Sequence, residues 1–261
     1  MIRSVPLALL LAGTLVVTAA AQTNPNPVPK DPSEWKQHSL TRPKPPIITP
    51  GAMGSTGAPS DAIVLFDGKS LDAWRIADTA VKPARWTLVD GAMEVAPGSG
   101  SIQTRRAFGD VQLHIEWMTP TPPHGESQER GNSGVFLMNH YEVQVLDSYN
   151  NLTYADGQAG SIYGQFPPKV NVSRPPGEWQ AYDIVFHRPH FDKDGRLTVP
   201  ARLTVFHNGV LVQEDQMLLG PTSNSIRSAY LAHPDALPLQ LQDHGVKVRF
   251  RNIWIRELGD G

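Results

Sequence analysis

Short stretches of alternating polar and apolar residues, divided by two-residue turns, recur along this chain after residue 60. In residues 111–117 every second side chain is apolar, which predicts a β-strand with one buried face. Asp90-Gly91 and Asn208-Gly209 each separate two such stretches, and these dipeptides favour tight hairpin turns. No stretch sustains the 3.6-residue period of an amphipathic helix. The pattern therefore predicts an all-β fold in which antiparallel strands form a two-sheet sandwich.

The predicted strands fill residues 61–258, which we interpret as one domain. They are predicted at residues 62–66, 86–95 (a hairpin), 111–117, 134–138, 141–147, 179–187, 202–207, 210–213 and 246–258. The region shows no strand–helix alternation, no G-x-G-x-x-G sequence and no P-loop. A bound nucleotide therefore has no support in the sequence.

Composition excludes several further classes of function. The chain has no cysteine, which excludes disulfides, zinc–thiolate sites, iron–sulfur clusters and a catalytic thiol. Its formal net charge is −2, so it lacks the basic excess that neutralises phosphates, and we expect no nucleic-acid partner. With 40% hydrophobic residues, a domain of this length can be stabilised by its core alone.

The N-terminal residues 1–21 have the pattern of a signal peptide. A positive charge at Arg3 precedes an apolar run, and small residues at 19–21 fit a cleavage site. The alternative is a membrane anchor, but the run is at the short limit for a span and contains Pro6 and Gly13. We therefore expect a periplasmic or secreted protein with no membrane span after signal cleavage.

Residues 22–60 have the composition of an extended arm or linker. They contain nine prolines in 39 positions and end in a Gly/Ser-rich stretch, which is typical of a partly polyproline spacer. Trp35 could attach this arm to the domain, and a flexible spacer is the alternative.

Acidic and amide side chains are concentrated in the predicted strand at 141–147. Glu142 and Gln144 share one face of that strand, and Val143 and Val145 share the other. Strict alternation places Asp147 with the valines, whereas a one-residue bulge would bring it beside Gln144. Two carboxyl groups in different environments can act as acid and base. A solvated outer face that carries ordinary polar residues is the alternative.

The following segment, residues 148–178, is predicted to be a loop of 31 residues. Loops of this length inside a compact domain are usually functional or disordered. This one carries three tyrosines together with amide and cationic side chains, among them Gln158, Tyr163 and Lys169. Such a set suits a sugar, since a pyranose packs on an aromatic ring while its hydroxyls need donors and acceptors. A surface loop with its own small cluster is the alternative.

A polar segment just before the last strand provides two more candidates. Gln242 and His244 have the same parity, so they would face the same side. His244 could act as a general base or a metal ligand. A turn histidine bonded to its own backbone is the alternative.

Several phrases of this sequence, in this order, resemble the 3-keto-disaccharide hydrolase domain family, and the resemblance covers residues 61–258. The phrases are AIVLFDGKSLDAW, RGNSGVFL, YEVQVLDSY, DGQAGSIYGQFPP, RPPGEWQAYDIVF, HNGVLVQ and LQDHGVKVRFRNIWIREL. The resemblance implies a concanavalin-like jelly-roll sandwich. The strand Glu142-x-Gln144-x-x-Asp147 is also similar to the Glu-x-Asp-x-x-Glu strand of laminarinase-type glycosidases. Here an amide replaces the middle acid, which departs from the usual retaining mechanism with its two closely spaced carboxyls.

The family resemblance implies an enzyme that cleaves 3-keto-glycosides. A 3-keto sugar has an acidified C2–H, so a base can remove that proton, the C1 substituent can leave by elimination, and water can add to the double bond. Glu142 or His244 is then expected to be the base, and Asp147 the acid or a group that positions water. The residues expected to contact substrate are Arg130, Asn132, Gln144, Gln158, Lys169 and Gln242, with Tyr163 and Trp179 as a stacking wall.

The implied chemistry also concerns partners and cofactors. The sequence has no dinucleotide motif of its own, so a separate oxidoreductase would have to produce the keto sugar. A divalent cation that polarises the ketone is a further possibility. The alternatives are a non-catalytic carbohydrate-binding module, which the same fold serves equally well, and, with less support, an ordinary endo-glucanase.

Overall fold

The computed structural model describes residues 35–45, 47, 57–77 and 82–259. The predicted signal peptide and most of the arm lie outside these residues. Within the described ranges there are fifteen strands and two 3-10 turns, Ser127–Glu129 and Ala155–Gly157. The strands are β1 Ile63–Phe66, β2 Trp74–Ile76, β3 Thr87–Val89, β4 Ala92–Glu94, β5 Ile102–Phe108, β6 Val111–Met118, β7 Ser133–Leu137, β8 Tyr141–Val145, β9 Gln180–His187, β10 His190–Phe191, β11 Leu197–Val199, β12 Arg202–His207, β13 Val210–Met217, β14 Leu237–Leu241 and β15 Arg249–Glu257. A search of the same residues finds no helix with the length and apolar character needed to cross a bilayer.

The strands form two main antiparallel sheets. The larger sheet has the order β13-β12-β9-β6-β15-β4-β3, with β1 also paired to β15. The smaller sheet has the order β2-β5-β14-β7-β8, and β10 and β11 form a separate hairpin. The arrangement confirms the predicted all-β, antiparallel two-sheet sandwich.

The turns explain why several neighbouring strands pair as predicted. Asp90 and Gly91 have φ values of 51° and 74°, and Asn208 and Gly209 have φ values of 51° and 80°. Two consecutive positive φ values match the twist of antiparallel strands, and Asn, Asp and Gly tolerate this conformation at low cost. These two turns join β3 to β4 and β12 to β13.

Alternation within β8 separates a core face from an outer face. Val143 and Val145 are fully buried in the apolar core between the sheets. Tyr182 of β9 donates its hydroxyl hydrogen across this core to the backbone oxygen of Gln144, at 2.6 Å. The side chains of Glu142 and Gln144 therefore point to the outer side of the smaller sheet.

The sequence predicted that the polar face of β6 is exposed to solvent, and this prediction is wrong for His114 and Glu116. His114 and Glu116 are 1% and 7% exposed, because other side chains cover them. The His114 ring stacks on Trp254 at 5.3 Å, and its Nδ1 lies 2.7 Å from Asp183 Oδ1. Burial alone would lower the pKa of His114, but hydrogen bonds to Asp183 and Glu116 raise it to about 9. The outer face of the larger sheet thus carries a buried, charged network.

Candidate active site

A cleft with a volume of about 360 Å³ opens on the outer side of the smaller sheet, over β7 and β8. This volume is at the lower end of the range of about 300–1,000 Å³ that is usual for small-molecule sites. The described residues that line it are Gln128, Asn132, Phe136, Glu142, Gln144, Tyr154, Tyr163, Thr222, Ser223, Asn224, Gln242 and His244. The lining therefore combines one carboxyl, several amides, aromatic rings and one imidazole.

A second cavity of about 360 Å³ lies at the other sheet and offers less for chemistry. Its lining includes Glu94, Thr119, Lys247 and Arg249. Arg249 Nε donates to Glu94 Oε2 at 2.7 Å, so the main charges there neutralise each other. We therefore place the candidate site in the cleft over β7 and β8.

Glu142 is the acidic residue of this cleft. Glu142 is 6% exposed. No lysine or arginine is among the described residues that line the cleft. Burial without a cationic partner raises the pKa of Glu142 to about 8, since desolvation disfavours the charged form. A carboxyl group with such a pKa can accept or give a proton near neutral pH.

The absence of a side chain at Gly134 makes room for this carboxyl. Gly134 pairs with Gln144 across β7 and β8, and Phe136 pairs with Glu142. A Cβ atom built at Gly134 would collide with Oε1 of Glu142 and with the Phe136 ring. The backbone of Glu142 is fixed as well, because its N–H donates to Thr222 Oγ1 at 3.1 Å.

Amide groups surround the carboxyl on one side of the cleft. One end of the Gln144 side-chain amide lies 3.1 Å from Gln128 Oε1 and 3.4 Å from Asn132 Oδ1, and the other end lies 3.0 Å from Glu142 Oε1. Asn132 Nδ2 donates to the backbone oxygen of Gln128 at 2.7 Å, and Gln128 Nε2 donates to Thr153 Oγ1 at 2.8 Å. The three amides are therefore held in a connected network beside Glu142.

Two tyrosines form an aromatic wall of the cleft. Their hydroxyl oxygens lie 2.7 Å apart, and Tyr163 donates to Asn224 Oδ1 at 2.9 Å. Since a hydroxyl has one hydrogen to donate, Tyr154 is the donor in its bond with Tyr163. Burial raises the pKa of both tyrosines, so the wall is neutral and hydrogen-bonded in a fixed direction.

The loop that bears the tyrosines also covers the free edge of β8. The N–H of Gln144 donates to the oxygen of Ser161, and the N–H of Gly160 donates to the oxygen of Gln144, both at 3.0 Å. Val143 and Ile162 form an additional bridge. Part of the predicted 148–178 loop thus acts as an additional strand at an edge that would otherwise be unpaired.

Gln242 and His244 complete the opposite side of the cleft. The N–H of Gln242 donates to the oxygen of Gly134 at 3.1 Å, and Ser133 Oγ donates to the oxygen of Gln242 at 2.7 Å. Gln242 Oε1 is buried and has no hydrogen-bond partner among the described residues. His244 is exposed at the rim. An unpaired amide oxygen and a free imidazole are therefore both presented to a ligand.

Asp147 and Arg130 lie outside the cleft lining. β8 ends at Val145, and the N–H of Asp147 donates to the backbone oxygen of Arg130 at 3.1 Å. Asp147 is 3% exposed and accepts a 2.6 Å hydrogen bond from Arg130 Nε. Burial raises the pKa of Asp147, although the Arg130 guanidinium opposes that shift. This pair stabilises the turn after β8, and neither residue is among those that line the cleft.

Three more of the predicted site residues are not among those that line the cleft. Lys169 is exposed and pairs with Glu214. Gln158 is 5% exposed within the loop. Trp179 has the parity of the outer face of the larger sheet, where its ring lies 3.9 Å from the guanidinium of Arg251. The structure therefore brings together Glu142, Gln144, Asn132, Tyr163, Gln242 and His244, and leaves Asp147, Arg130, Gln158, Lys169 and Trp179 elsewhere.

Several lining residues were not singled out by the sequence analysis. Gln128 precedes the RGNSG phrase in a 3-10 turn, Tyr154 is one of the tyrosines of the long loop, and Thr222–Asn224 come from a polar segment between β13 and β14. The aromatic content of the loop was a usable signal for Tyr154. The remaining residues reach the cleft through tertiary contacts that have no local sequence pattern.

The described residues do not match a metal centre. Among them, no group of three or more histidine, aspartate or glutamate side chains is arranged so that it could hold an ion. Within the cleft, Glu142 and His244 are the residues of these types in the lining. We derive no step through a divalent cation.

Comparison with known proteins places the whole domain in one family. The sequence pattern of the 3-keto-alpha-glucoside-1,2-lyase-like domain family matches residues 61–256. A curated protein of Bacteroides thetaiotaomicron named 3-keto-disaccharide hydrolase is 24% identical over an alignment of 309 positions, which spans 97% of this chain and 98% of that protein.

Solved structures from Parabacteroides distasonis agree with this assignment. One, described as a candidate glycosyl hydrolase, is 49% identical with a TM-score of 0.74, over 83% of this chain and 93% of that chain. Another with the same description is 20% identical with a TM-score of 0.53, over 76% of this chain and 94% of that chain, and it supports the fold alone. The chain belongs to the 3-keto-alpha-glucoside-1,2-lyase-like domain family, as the resemblance of its motifs predicted.

Proposed function

We propose that this protein is an exported enzyme that cleaves 3-keto-disaccharides or other 3-keto-glycosides by elimination followed by hydration. The observation that carries the proposal is the Glu142 carboxyl, which is buried in a polar cleft with no lysine or arginine among the described lining residues, so that burial raises its pKa to about 8. Family membership and the name of the curated relative, 3-keto-disaccharide hydrolase, support the substrate class.

Glu142 is the proposed base for the first step. Its carboxylate removes the proton from C2 of the keto sugar, and the electron pair of the C2–H bond forms an enolate whose charge rests on the C3 oxygen. A base with a pKa near 8 is stronger than an ordinary carboxylate and is still partly ionised at neutral pH. This chemistry needs no carboxylate nucleophile, which agrees with the amide Gln144 where laminarinase-type enzymes have an acid.

Amide groups are the proposed donors to the enolate and to the sugar hydroxyls. Gln242 presents an amide whose oxygen has no partner among the described residues, so it can turn its nitrogen to the C3 oxygen. Gln144 and Asn132 lie on the side of Glu142 and would contact the neighbouring hydroxyls. Donors that are already in place stabilise developing negative charge without reorganisation. Tyr163 would pack against the sugar ring.

His244 is the proposed acid for the leaving group. As the enolate collapses, the C1–O bond breaks with its electron pair, and the departing oxygen takes a proton from the imidazolium at the rim. Water then adds to C1 and gives a proton back to His244, and Glu142, whose carboxyl proton has exchanged with solvent, protonates C2. The other order, in which His244 is the base, remains the competing assignment. We assign no proton transfer to Asp147, because Arg130 occupies its Oδ2.

The proposal implies a supplying reaction and a location. A separate oxidoreductase must oxidise the C3 hydroxyl of the glycoside before this protein acts. We further propose that both steps follow export, because residues 1–21 have the pattern of a signal peptide.

Incubation of the purified protein with a 3-keto-disaccharide and, separately, with its unoxidised parent tests the proposal. Release of sugar from the oxidised compound alone is the expected result, and the Glu142→Gln variant should release it more slowly by on the order of 10²–10⁴-fold. Binding of the oxidised compound without cleavage would support a carbohydrate-binding module. Cleavage of the unoxidised glucan would support an endo-glucanase.

A further inference from the structure

The chain segment before the sandwich domain docks at the edge of the candidate active site. Within the described segment 35–45, Gln37 Nε2 donates to the backbone oxygen of Ser223, and His38 Nε2 donates to that of Asn224, both at 2.8 Å. Ser223 and Asn224 line the cleft. Trp35, the residue expected to attach the arm, is 39% exposed, so the contacts come from its neighbours.

His38 also contacts the carboxyl group of Asp156, which is 1% exposed. The N–H of His38 donates to Asp156 Oδ2 at 3.2 Å, and Nδ1 lies 3.4 Å from Oδ1. Burial would raise the pKa of Asp156, but these contacts and the nearby Arg42 outweigh that effect and lower it. A buried carboxylate is costly unless it is paired. Docking of the segment supplies Asp156 Oδ2 with a hydrogen bond and places the His38 ring beside Oδ1.

The loop of the domain is shaped to receive the segment. Gly164 has a φ of +69°, and a Cβ atom there would lie 2.5 Å from Gln37 Nε2. The N–H of Gly164 donates to the backbone oxygen of Asp156 at 2.9 Å. The contact between segment and loop therefore depends on a close approach that only glycine permits at this position.

The ring of His38 packs against both tyrosines of the cleft wall. Its centroid lies 4.3 Å from that of Tyr154 and 5.4 Å from that of Tyr163. Tyr163 donates to the side chain of Asn224, and His38 donates to the backbone oxygen of the same residue. His38 thus contacts every member of a connected wall formed by Tyr154, Tyr163 and Asn224.

We propose that His38 is a positioning residue of the active site, which fixes the Tyr154–Tyr163–Asn224 wall against which the sugar ring of the substrate packs. This inference rests on the proposed function of the cleft. It assigns to the segment N-terminal to the β-sandwich a part in substrate binding. His38 itself does not touch the reacting atoms.

Steady-state kinetics on a 3-keto-disaccharide with three full-length variants test this role. His38→Ala should raise KM about tenfold with kcat within about twofold, since loss of one hydrogen bond and its packing weakens binding and leaves the chemical step intact. His38→Gln, whose amide nitrogen can replace Nε2 as donor to Asn224, should recover most of the affinity. Leu40→Ala, in the same segment but 71% exposed, should behave as wild type. Equal KM values in all variants, or equal losses in His38→Ala and His38→Gln, would overturn the proposal.

Hydrogen exchange separates this inference from the proposed function. His38→Ala should increase amide exchange in residues 154–164 and 222–224, and Leu40→Ala should not, whether or not the protein cleaves a keto sugar. If wild type neither binds nor cleaves that compound, the proposed function fails and the exchange result still decides the role of His38. Unchanged exchange in both peptides would contradict the positioning role.

Discussion

Oε1 of Glu142 lies 3.0 Å from one end of the side-chain amide of Gln144. When the amide nitrogen donates to Gln128 Oε1, its oxygen faces Glu142, and that contact is a hydrogen bond only if the carboxyl carries a proton. When the amide turns over, its nitrogen donates to an ionised Glu142, but its oxygen then faces Gln128 Oε1 at 3.1 Å. The orientation of Gln144 is therefore coupled to the proton on Glu142.

This coupling and the burial of the carboxyl predict an alkaline pH profile for the reaction. The base form of Glu142 is the active one, and its pKa is raised to about 8. For a nitrophenyl 3-keto-glycoside, whose leaving group departs without a proton from His244, we expect kcat/KM to rise with pH through a limb centred near that value. A rate that is already constant from pH 6 upward would show that Glu142 is not the ionising group.

Replacing Glu142 by glutamine should separate activity from stability. The variant should lose on the order of 10²–10⁴-fold in turnover, as is typical when a general base is removed. The folded state of the wild type binds a proton more tightly than the unfolded chain, since the pKa is raised from 4.5 to about 8. Wild-type stability therefore falls as pH rises through that window, by on the order of 3–5 kcal/mol in all.

The glutamine variant carries no such charge, so its stability should exceed that of wild type at pH 8–9 and approach it near pH 4.5. Urea unfolding at both pH values measures the difference. An equal pH dependence of the two proteins would mean that the carboxyl is well solvated and that its pKa is ordinary.

Gly134→Ala should damage the site without unfolding the domain. The added Cβ collides with Oε1 of Glu142 and with the Phe136 ring, so the carboxyl must leave its position. We expect a loss in kcat of about 100-fold or more, because small displacements of a catalytic group are costly. Gly57→Ala is the matched control, since a Cβ there has no neighbour within 4 Å. Full activity of Gly134→Ala would contradict the assigned position of the base.

The pair Arg130–Asp147 should matter for stability more than for catalysis. Asp147→Asn replaces a buried carboxylate that accepts a 2.6 Å bond from Arg130, and we expect a loss on the order of 2 kcal/mol in the free energy of unfolding. Turnover of the folded variant should stay within about tenfold of wild type. Asp215→Asn, in the exposed Arg202–Asp215 pair, is the control and should change stability little. Abolished turnover with unchanged stability would return Asp147 to a catalytic role.

Local patterns were sufficient to predict much of the fold. The turns at Asp90-Gly91 and Asn208-Gly209 and the shared face of Glu142 and Gln144 follow from backbone geometry and a period of two. The strand β14 was missed, because Pro238 interrupts its pattern. It nevertheless lies between β5 and β7, and its register with β5 shifts between Pro238 and Gln240.

The rest of the site depends on long-range contacts. The alternation of polar and apolar residues shows that Trp179 and Glu142 each lie on the polar face of a predicted strand. It does not show that these two strands belong to different sheets. His38 and Asn224 are 186 residues apart in the chain and meet at the edge of the cleft. No local pattern marks either of them. Alternation left two placements for Asp147, with the valines or, through a bulge, beside Gln144, whereas β8 ends at Val145 and Arg130 binds the carboxyl.

Reaction of a 3-keto-disaccharide in D2O, followed by NMR with a time-matched incubation lacking enzyme, tests most directly whether Glu142 removes the C2 proton. Wild type should release sugar that carries deuterium at C2 of the former keto unit, because elimination and hydration replace that hydrogen by one from solvent. In the Glu142→Gln variant, release and labelling should slow together by on the order of 10²–10⁴-fold. Released sugar that keeps its original hydrogen at C2 would contradict the account.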